Sequence, residues 1–296
     1  MGGPASLARA TSIEPGRTGN WGLNARLNVE SIESTLGFYY RRFNDYNPWF
    51  QPNFTGFLTI PGVGTVPTQY QLVYPKQVSL FGASFARAIG PVSVGAELSY
   101  RKDGALNAAG IDPITQEGPR GNTWHALVNG VYLFPKNPLF DTGSLVAELA
   151  YSRLGKVTSN EAYYRRAGSL ACQVTPGGAT GDKTDGCSTS DYVGMQMLFT
   201  PQYLQIQPSL DIELPMSLAY NLRGNAPSSG GGSEGEMSWS VGAKFIYRQK
   251  HELQLMYADT AARTKYDPTG RTVIGGRGSV GTTDRAWWAL TFKTGF

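Results

Sequence analysis

The two histidines, His125 and His251, are the natural starting point for catalytic chemistry in this chain. A hydrolase needs a nucleophile beside a histidine base, with a third polar group that orients the base. The chain has no Cys-x-x-Cys, no His-x-x-x-His and no phosphate-binding glycine loop. His125 falls near the outer end of a predicted strand and His251 in a predicted turn. We therefore predict no enzymatic activity, and a hydrolase built into a barrel wall is the least favoured alternative.

Metal and thiol chemistry is equally sparse. Asp182, Asp185 and Asp191 carry calcium-type ligands, but their spacing fits no EF-hand, so we predict a solvated acidic loop and neither a metal nor a cofactor. Cys172 and Cys187 lie in a stretch rich in Gly, Thr and Asp. That setting favours a loop disulfide formed in an oxidising compartment, and two free thiols in a cytosolic protein are the alternative.

Charged side chains recur at alternate positions, opposite apolar neighbours, which is the period of a strand. Opposed acidic and basic side chains on the wall of a pore create a transverse field that orients polar solutes. They fit a second interpretation almost as well, in which they neutralise one another and brace a lumen filled by loops. The predicted lumen-lining residues are Arg26, Arg41, Glu97, Arg101, Glu148, Asp211, Glu213, Lys244, Arg248 and Lys293.

The elements that position these charges are predicted strands. In 92–101, Val, Ala, Leu and Tyr alternate with Ser, Gly, Glu and Arg. Short connections such as 89–91 and 135–138 alternate with long ones such as 45–77, as in outer-membrane barrels, whose short turns are periplasmic. Pro215 predicts a bulge or kink. Tyrosines and tryptophans near strand ends predict an aromatic girdle at the membrane interfaces, and the last strand carries the apolar pattern of a C-terminal insertion signature: Trp288, Leu290, Phe292 and Phe296.

Composition narrows the class further. The chain has 296 residues, 37 of them Gly, with 16% charged residues, and its longest apolar runs fall short of the roughly 18 residues of a membrane helix. The net charge of +4 is scattered, so we predict no nucleic-acid partner. The fold class that follows is all-β: an antiparallel transmembrane outer-membrane β-barrel with about 11–12 strands in this chain.

The number of predicted strands does not determine how the barrel closes. Eleven predicted strands make the first and last run the same way, which an antiparallel barrel cannot close. Three interpretations remain: earlier strands lie outside this chain, residues 5–13 form a weak twelfth strand, or closure is parallel. We expect 1–18 to be an irregular segment or the remnant of a preceding loop or strand, and 19–296 to be the barrel region. A signal peptide, expected of an exported protein, is missing from the first residues.

Several segments resemble a proteobacterial family of large outer-membrane proteins known only as a domain of unknown function. They are Gly19–Leu23, Ser79–Phe85, Gly95–Arg101, Ser144–Ser152 and Trp288–Thr294. The resemblance implies that this chain is the C-terminal half of a protein about twice as long. It also implies lipoprotein-like and resistance-nodulation-type export partners in the periplasm, and the handling of lipids or other hydrophobic compounds. It supplies no activity.

We therefore predict a channel-like or transporter-like barrel in the outer membrane of a Gram-negative bacterium, passing small or hydrophobic compounds. The alternative is a non-conducting barrel that binds a partner. Expected partners are outer-membrane lipid and lipopolysaccharide and the barrel-assembly machinery. In the long loop at 45–77, the aromatic side chains form an inward constriction, an aromatic platform for an apolar substrate, or a simple cap: Tyr46, Trp49, Phe50, Phe54 and Phe57.

Overall fold

The computed structural model describes residues 7–49, 53–62, 64–174, 177–266, 269–270, 273–275, 283 and 285–295. Almost all regular structure in these ranges is β-strand. In chain order the strands are β1 (Ala8–Arg9), β2 (Trp21–Val29), β3 (Ser34–Phe43), β4 (Asn53–Ile60), β5 (Gly64–Gln71), β6 (Val78–Ile89), β7 (Val92–Ala105), β8 (Arg120–Phe134), β9 (Thr142–Ser159), β10 (Asp191–Gln207), β11 (Leu210–Glu213), β12 (Met216–Arg223), β13 (Met237–Tyr247), β14 (His251–Ala261), β15 (Lys265–Tyr266), β16 (Val273–Gly275) and β17 (Trp287–Thr294).

One antiparallel sheet of 12 strands dominates, in the order β17-β14-β13-β11-β10-β9-β8-β7-β6-β3-β2, with β12 also between β10 and β13. Strands β11 and β12 share one position in this order and are separated by Leu214 and Pro215. The sequence predicts a bulge or kink at Pro215; the strand is interrupted there, since proline cannot donate a hydrogen bond to the ladder, and the pairing register is the same on both sides. The sheet therefore has eleven strand positions, twelve strands less one shared position. The predicted all-β antiparallel architecture and its strand number are confirmed.

The connections between these strands differ sharply in length at the two ends of the sheet. Short ones span 30–33, 90–91, 135–141, 208–209 and 248–250, and long ones span 44–77, 106–119, 160–190, 224–236 and 262–286. In the two-residue turn 90–91, Gly90 has φ +57°, a conformation in which a Cβ would be strained. Because the strands alternate in direction, all short turns lie at one end and all long loops at the other.

The two edge strands run in the same direction. Antiparallel neighbours alternate over eleven positions, so β2 and β17 point the same way and cannot pair antiparallel with each other. In the part of the chain that the structure describes, neither edge has a second strand beside it, and the sheet is open. The short strand β1 pairs in parallel with β5 of the β4–β5 hairpin, in a separate sheet, so it adds no strand to the main one.

Helical structure is limited, in the described ranges, to three short 3₁₀ turns at Glu30–Ile32, Glu161–Tyr163 and Lys183–Asp185. None of the described helices has the length and hydropathy that crossing a membrane requires.

Fully buried side chains are concentrated in the long loops. The largest of them include Trp49, Val73, Leu106, Tyr164 and Asn225. We call the loops 44–77, 106–119, 160–190 and 224–236 together the loop cap.

Candidate functional site

The sheet has two chemically different faces. Alternate residues of a strand share a face, and so do residues paired directly across strands. One continuous row joins Leu27, Leu36, Phe85, Ala96, Val128, Leu149, Met195, Tyr220, Met237 and Ala261. We call this the apolar face and the other the charged face. The charged side chains of the apolar face lie toward the strand ends: Arg42, Arg87, Lys102, Arg153, Asp191, Arg223 and Asp259.

Nine of the ten residues predicted to line a lumen lie on the charged face. The exception is Arg248, which follows the last residue of β13. It has φ +51° in the β13–β14 turn, and its guanidinium lies 5.1 Å from the centre of the Tyr247 ring. The prediction from the sequence continued the strand alternation one residue beyond the end of β13 and so wrongly placed Arg248 on the charged face. The nine are Arg26, Arg41, Glu97, Arg101, Glu148, Asp211, Glu213, Lys244 and Lys293.

An ion-pair network forms on the charged face near the short turns. Lys244 Nζ lies 3.4 Å from Glu213 Oε2 and 3.4 Å from Glu252 Oε2, and Glu252 pairs across strands with Lys293. Glu252 was missed from the sequence, although it alternates with apolar Leu253 and Leu255 on β14 and so carried the same signal. These ion pairs join β11, β13 and β14.

Two tyrosines fold across glycines on the charged face, nearer the loop cap. The Tyr39 ring lies over Gly37, where a Cβ would collide with it, and its hydroxyl is 3.0 Å from Ser84 Oγ. On β10, several strands away but on the same charged face, Tyr192 lies over Gly194 in the same way. Its hydroxyl donates to Asn221 Oδ1 at 2.6 Å. The absence of a glycine side chain lets each ring lie flat against the sheet and tie two strands together.

Hydrogen bonds between different loops hold the loop cap together. Asn107 Nδ2 donates to Ser188 Oγ at 3.0 Å and to the Ala226 carbonyl at 2.6 Å. Asn225 Nδ2 donates to the carbonyls of Lys183 and Cys187, both at 2.8 Å. These two asparagines join three loops, 106–119, 160–190 and 224–236.

The predicted disulfide is confirmed within this cap. Cys172 and Cys187 are bonded, with their Cα atoms 5.8 Å apart, and both are buried. The aspartates of the same loop have protein partners. Asp185 is buried and pairs with Lys265 Nζ at 2.6 Å, and Asp182 accepts from the Thr184 amide at 2.6 Å. Within the described residues, no group of His, Cys, Asp and Glu has the arrangement of a metal site.

A carboxylate of the cap is held charged by two cations. Glu234 Oε1 lies 2.8 Å from Lys183 Nζ and 3.3 Å from Arg263, and Glu234 Oε2 accepts from the Gly224 amide at 2.8 Å. The hydrogen bond from Lys183 is the main cause that holds the pKa of Glu234 below its ordinary value.

The aromatic residues of loop 44–77 divide between the cap interior and its surface. Trp49 is buried against Val73 and Ile111, and its Nε1 donates to the Pro119 carbonyl at 3.2 Å. Tyr46, Phe54 and Phe57 are exposed. Of the three interpretations of this loop, only the simple cap agrees with the buried position of Trp49. Phe50 lies outside the described residues.

The histidines contact hydroxyl groups. His125 Nε2 is 2.9 Å from Thr123 Oγ1, and His251 Nδ1 is 2.8 Å from Thr294 Oγ1. Neither has a carboxylate partner among the described residues. Ser233 is the centre of a Gly-x-Ser-x-Gly sequence, but it lies in loop 224–236 and not in the strand-to-helix turn that exposes a serine nucleophile.

The C-terminal strand fits the apolar face. Trp288, Leu290 and Phe292 share that face and are exposed. Phe296, the last residue of the predicted insertion signature, lies outside the described residues.

With this geometry established, comparison with known proteins identifies the family. The family model described as "Protein of unknown function (DUF1302)" matches residues 3–296. The chain belongs to the DUF1302 family. The resemblance inferred from the sequence segments is thereby confirmed. No curated protein matches this DUF1302 chain.

Among solved structures, the DUF1302 chain is similar to OmpT (in-vitro folded), an outer membrane protein of Vibrio cholerae in its trimer form. The identity is 8%, the match covers 92% of this chain and 90% of that one, and the TM-score is 0.34. The architecture of this DUF1302 member is therefore defined by its own strand order and registers.

Proposed function

We propose that this chain spans a Gram-negative outer membrane as a β-barrel wall, and that its charged face lines an aqueous path for small solutes. The observation that carries the proposal is the exposure of large apolar side chains all along one face, with Leu23 at 69% and Leu290 at 71%. Water penalises such a surface at roughly 25 cal/mol per Å² of apolar area, and hydrocarbon does not. A bilayer is the solvent in which this face is stable.

Two aromatic bands on the apolar face support a membrane position. Rings cluster toward the loop cap, with centres 4.7–5.4 Å apart, and a second cluster lies toward the short turns, around Phe134 and Tyr247. Trp124 and Phe134 lie at the two ends of this face on β8 and are 134 − 124 = 10 residues apart. At about 3.3 Å per residue and a strand tilt of about 40°, this spacing corresponds to roughly 25 Å, the height of a barrel's apolar band.

The proposed orientation follows from the loops. Short turns belong in the periplasm and long loops outside the cell, as in bacterial barrels generally. Outer-membrane lipid and lipopolysaccharide would then contact the apolar face, and the assembly machinery would bind the C-terminal strand. Periplasmic lipoprotein or export partners, and lipid-like solutes, are supported by the family resemblance alone.

The test is conductance. We expect purified, refolded protein to give stepwise currents in planar lipid bilayers. Lys244→Gln should shift ion selectivity toward cations, because it leaves Glu213 and Glu252 uncompensated on the proposed path. Lys250→Gln removes the same charge from the β13–β14 turn and is the matched control. Absence of current through bilayers that contain correctly folded protein would contradict a conducting path.

A non-conducting, partner-binding barrel is the second candidate, and the packing of the loop cap favours it. The buried asparagine network and the disulfide make the cap resemble a small folded domain rather than open loops. This candidate predicts no current from folded protein. It also predicts that current appears when residues 177–186 of the cap are replaced by a short glycine-serine linker.

A further inference from the structure

Among the described residues, Arg101 differs from the other arginines of the charged face in having no partner. Its Nε is buried without a hydrogen bond, and among the described residues it forms no ion pair. By contrast, Arg41 stacks on the Phe43 ring at 4.5 Å, and Arg26 interacts with the Tyr39 hydroxyl. Arg101 is half-buried, and a buried guanidinium nitrogen without a compensating partner is costly, because it loses hydration and gains nothing in return.

A β-bulge fixes the position of this arginine. The β7–β8 register shifts between Arg101 and Gly104, and Asp103 has φ +55°. Asn122 Oδ1 accepts from the Asp103 amide at 3.1 Å, which holds the bulge. The Arg101 stem lies against Gly104, where an added Cβ would be 2.7 Å from Arg101 Cδ. Bulges commonly re-aim one side chain beside a functional site.

Hydroxyl and imidazole groups lie on the same face, next to Arg101. Thr123 pairs directly with Arg101, and His125 pairs with Ser152, one row toward the short turns. The Ser152 hydroxyl is buried and has no hydrogen-bond partner in the part of the chain that the structure describes. Buried hydroxyls in native proteins are almost always satisfied, so a missing partner calls for an explanation.

The loop cap borders this cluster. The Leu106 side chain of the cap packs over Gly121, which is two residues before Thr123 on the same face of β8. On β7, Asp103 is two residues away at the bulge and forms no ion pair with Arg101, and Glu97 is 101 − 97 = 4 residues away, roughly 13 Å along the strand. It is too distant to neutralise Arg101 by direct contact.

We propose that Arg101, Thr123, His125 and Ser152 form a binding site for an oxyanion, a carboxylate or a phosphate group of a solute, directly beneath the loop cap. The guanidinium supplies charge and two-pronged donation, and the hydroxyls supply further donors. Such a site goes beyond conduction, because equilibrium binding does not require an open lumen.

The test is calorimetric titration of detergent-solubilised, folded protein with benzoate and with phenyl phosphate, using uncharged benzamide as the blank. We expect both anions or one of them to bind and benzamide not to bind; which anion binds more tightly identifies the preferred oxyanion. Arg101→Gln should weaken binding roughly tenfold or more, the loss expected for a charge-assisted hydrogen bond. Arg101→Lys should retain part of the affinity.

Arg41→Gln is the matched control, since Arg41 lies in the same cross-strand row, separated from Arg101 by Leu80. It should leave the affinity unchanged. Ser152→Ala, which removes only a hydroxyl, tests the site without disturbing the bulge and should weaken binding severalfold. Absence of anion binding by folded wild-type protein, or equal losses in Arg101→Gln and Arg41→Gln, would overturn the proposal. Absence of conductance together with intact anion binding would contradict the proposed conduit without contradicting the proposed binding site.

Discussion

The loop cap and the sheet are built for different solvents. In the cap the large apolar side chains are inside, as in any water-soluble domain, and Trp49 is 1% exposed. In the sheet, large apolar side chains such as Leu290 are exposed, and the charges away from the strand ends are on the opposite face. One chain thus contains both hydrophobic patterns, which teaches that burial must be judged separately for each region.

The largest effect should come from the centre of the cap. Trp49→Ala removes a ring that packs on Val73 and Ile111 and should cost about 3–5 kcal/mol of local cap stability. Amide hydrogen exchange of loops 44–77 and 106–119 measures this loss. Tyr46→Ala, in the same loop but 74% exposed, is the control and should change little. Equal effects of the two substitutions would mean that the cap has no core of its own.

A charge placed on the apolar face tests the opposite half of the comparison. Val128 lies midway between Trp124 and Tyr132 on β8, so Val128→Arg should cost about 2–4 kcal/mol in a bilayer. Urea unfolding in phospholipid vesicles measures the difference. Leu127→Arg places the same charge on the opposite face, one residue away, and should cost much less. Similar costs at the two positions would show that the faces do not have different solvents.

The disulfide should matter only to the cap. Replacing both Cys172 and Cys187 with Ser releases a loop of 15-residue separation, which is worth about 3 kcal/mol in the chain-entropy model. We expect faster proteolysis within 160–190 and unchanged unfolding of the sheet in vesicles. Reduction of the wild-type protein with a small thiol should reproduce the effect. A large loss of sheet stability would contradict the separation of the two regions.

The smallest expected effect is a pH dependence confined to the cap. The pKa of Glu234 is lowered, chiefly by Lys183, so its contribution to stability is complete above the ordinary Glu pKa of about 4.3. That contribution is lost as the pH falls through the lowered pKa of the folded state. Protection of 224–236 against hydrogen exchange, measured relative to intrinsic exchange at each pH, should therefore fall with acid, and Glu234→Gln should flatten the response. An identical acid response in that variant would assign the dependence to another group.

The sheet was predictable from the sequence because its rule is local. Alternation along 92–101 identifies β7 and its two faces without knowledge of any partner strand. The same rule failed at Arg248, where the strand had already ended and a left-handed turn had begun.

The contacts of the loop cap could not be predicted in this way, because they join residues that are distant in sequence. Trp49 donates to Pro119, and Asn107 to Ala226, across separations of 70 and 119 residues. The β4–β5 hairpin was read as an irregular loop because its Pro and Gly residues mask the alternation. The special position of Arg101 depends on a bulge, which appears only when two strands are aligned.

The matching directions of β2 and β17 have a further consequence for self-association. An uncovered strand edge is a template on which a second copy can pair. Two copies of β2 that pair antiparallel point in opposite directions. Here such a pair of β2 edges would turn one molecule upside down, with its large folded loops on the wrong side of the bilayer. For a chain that spans the membrane as proposed, copies inserted from the same side cannot adopt that arrangement, so the edge is protected against fibre-like growth.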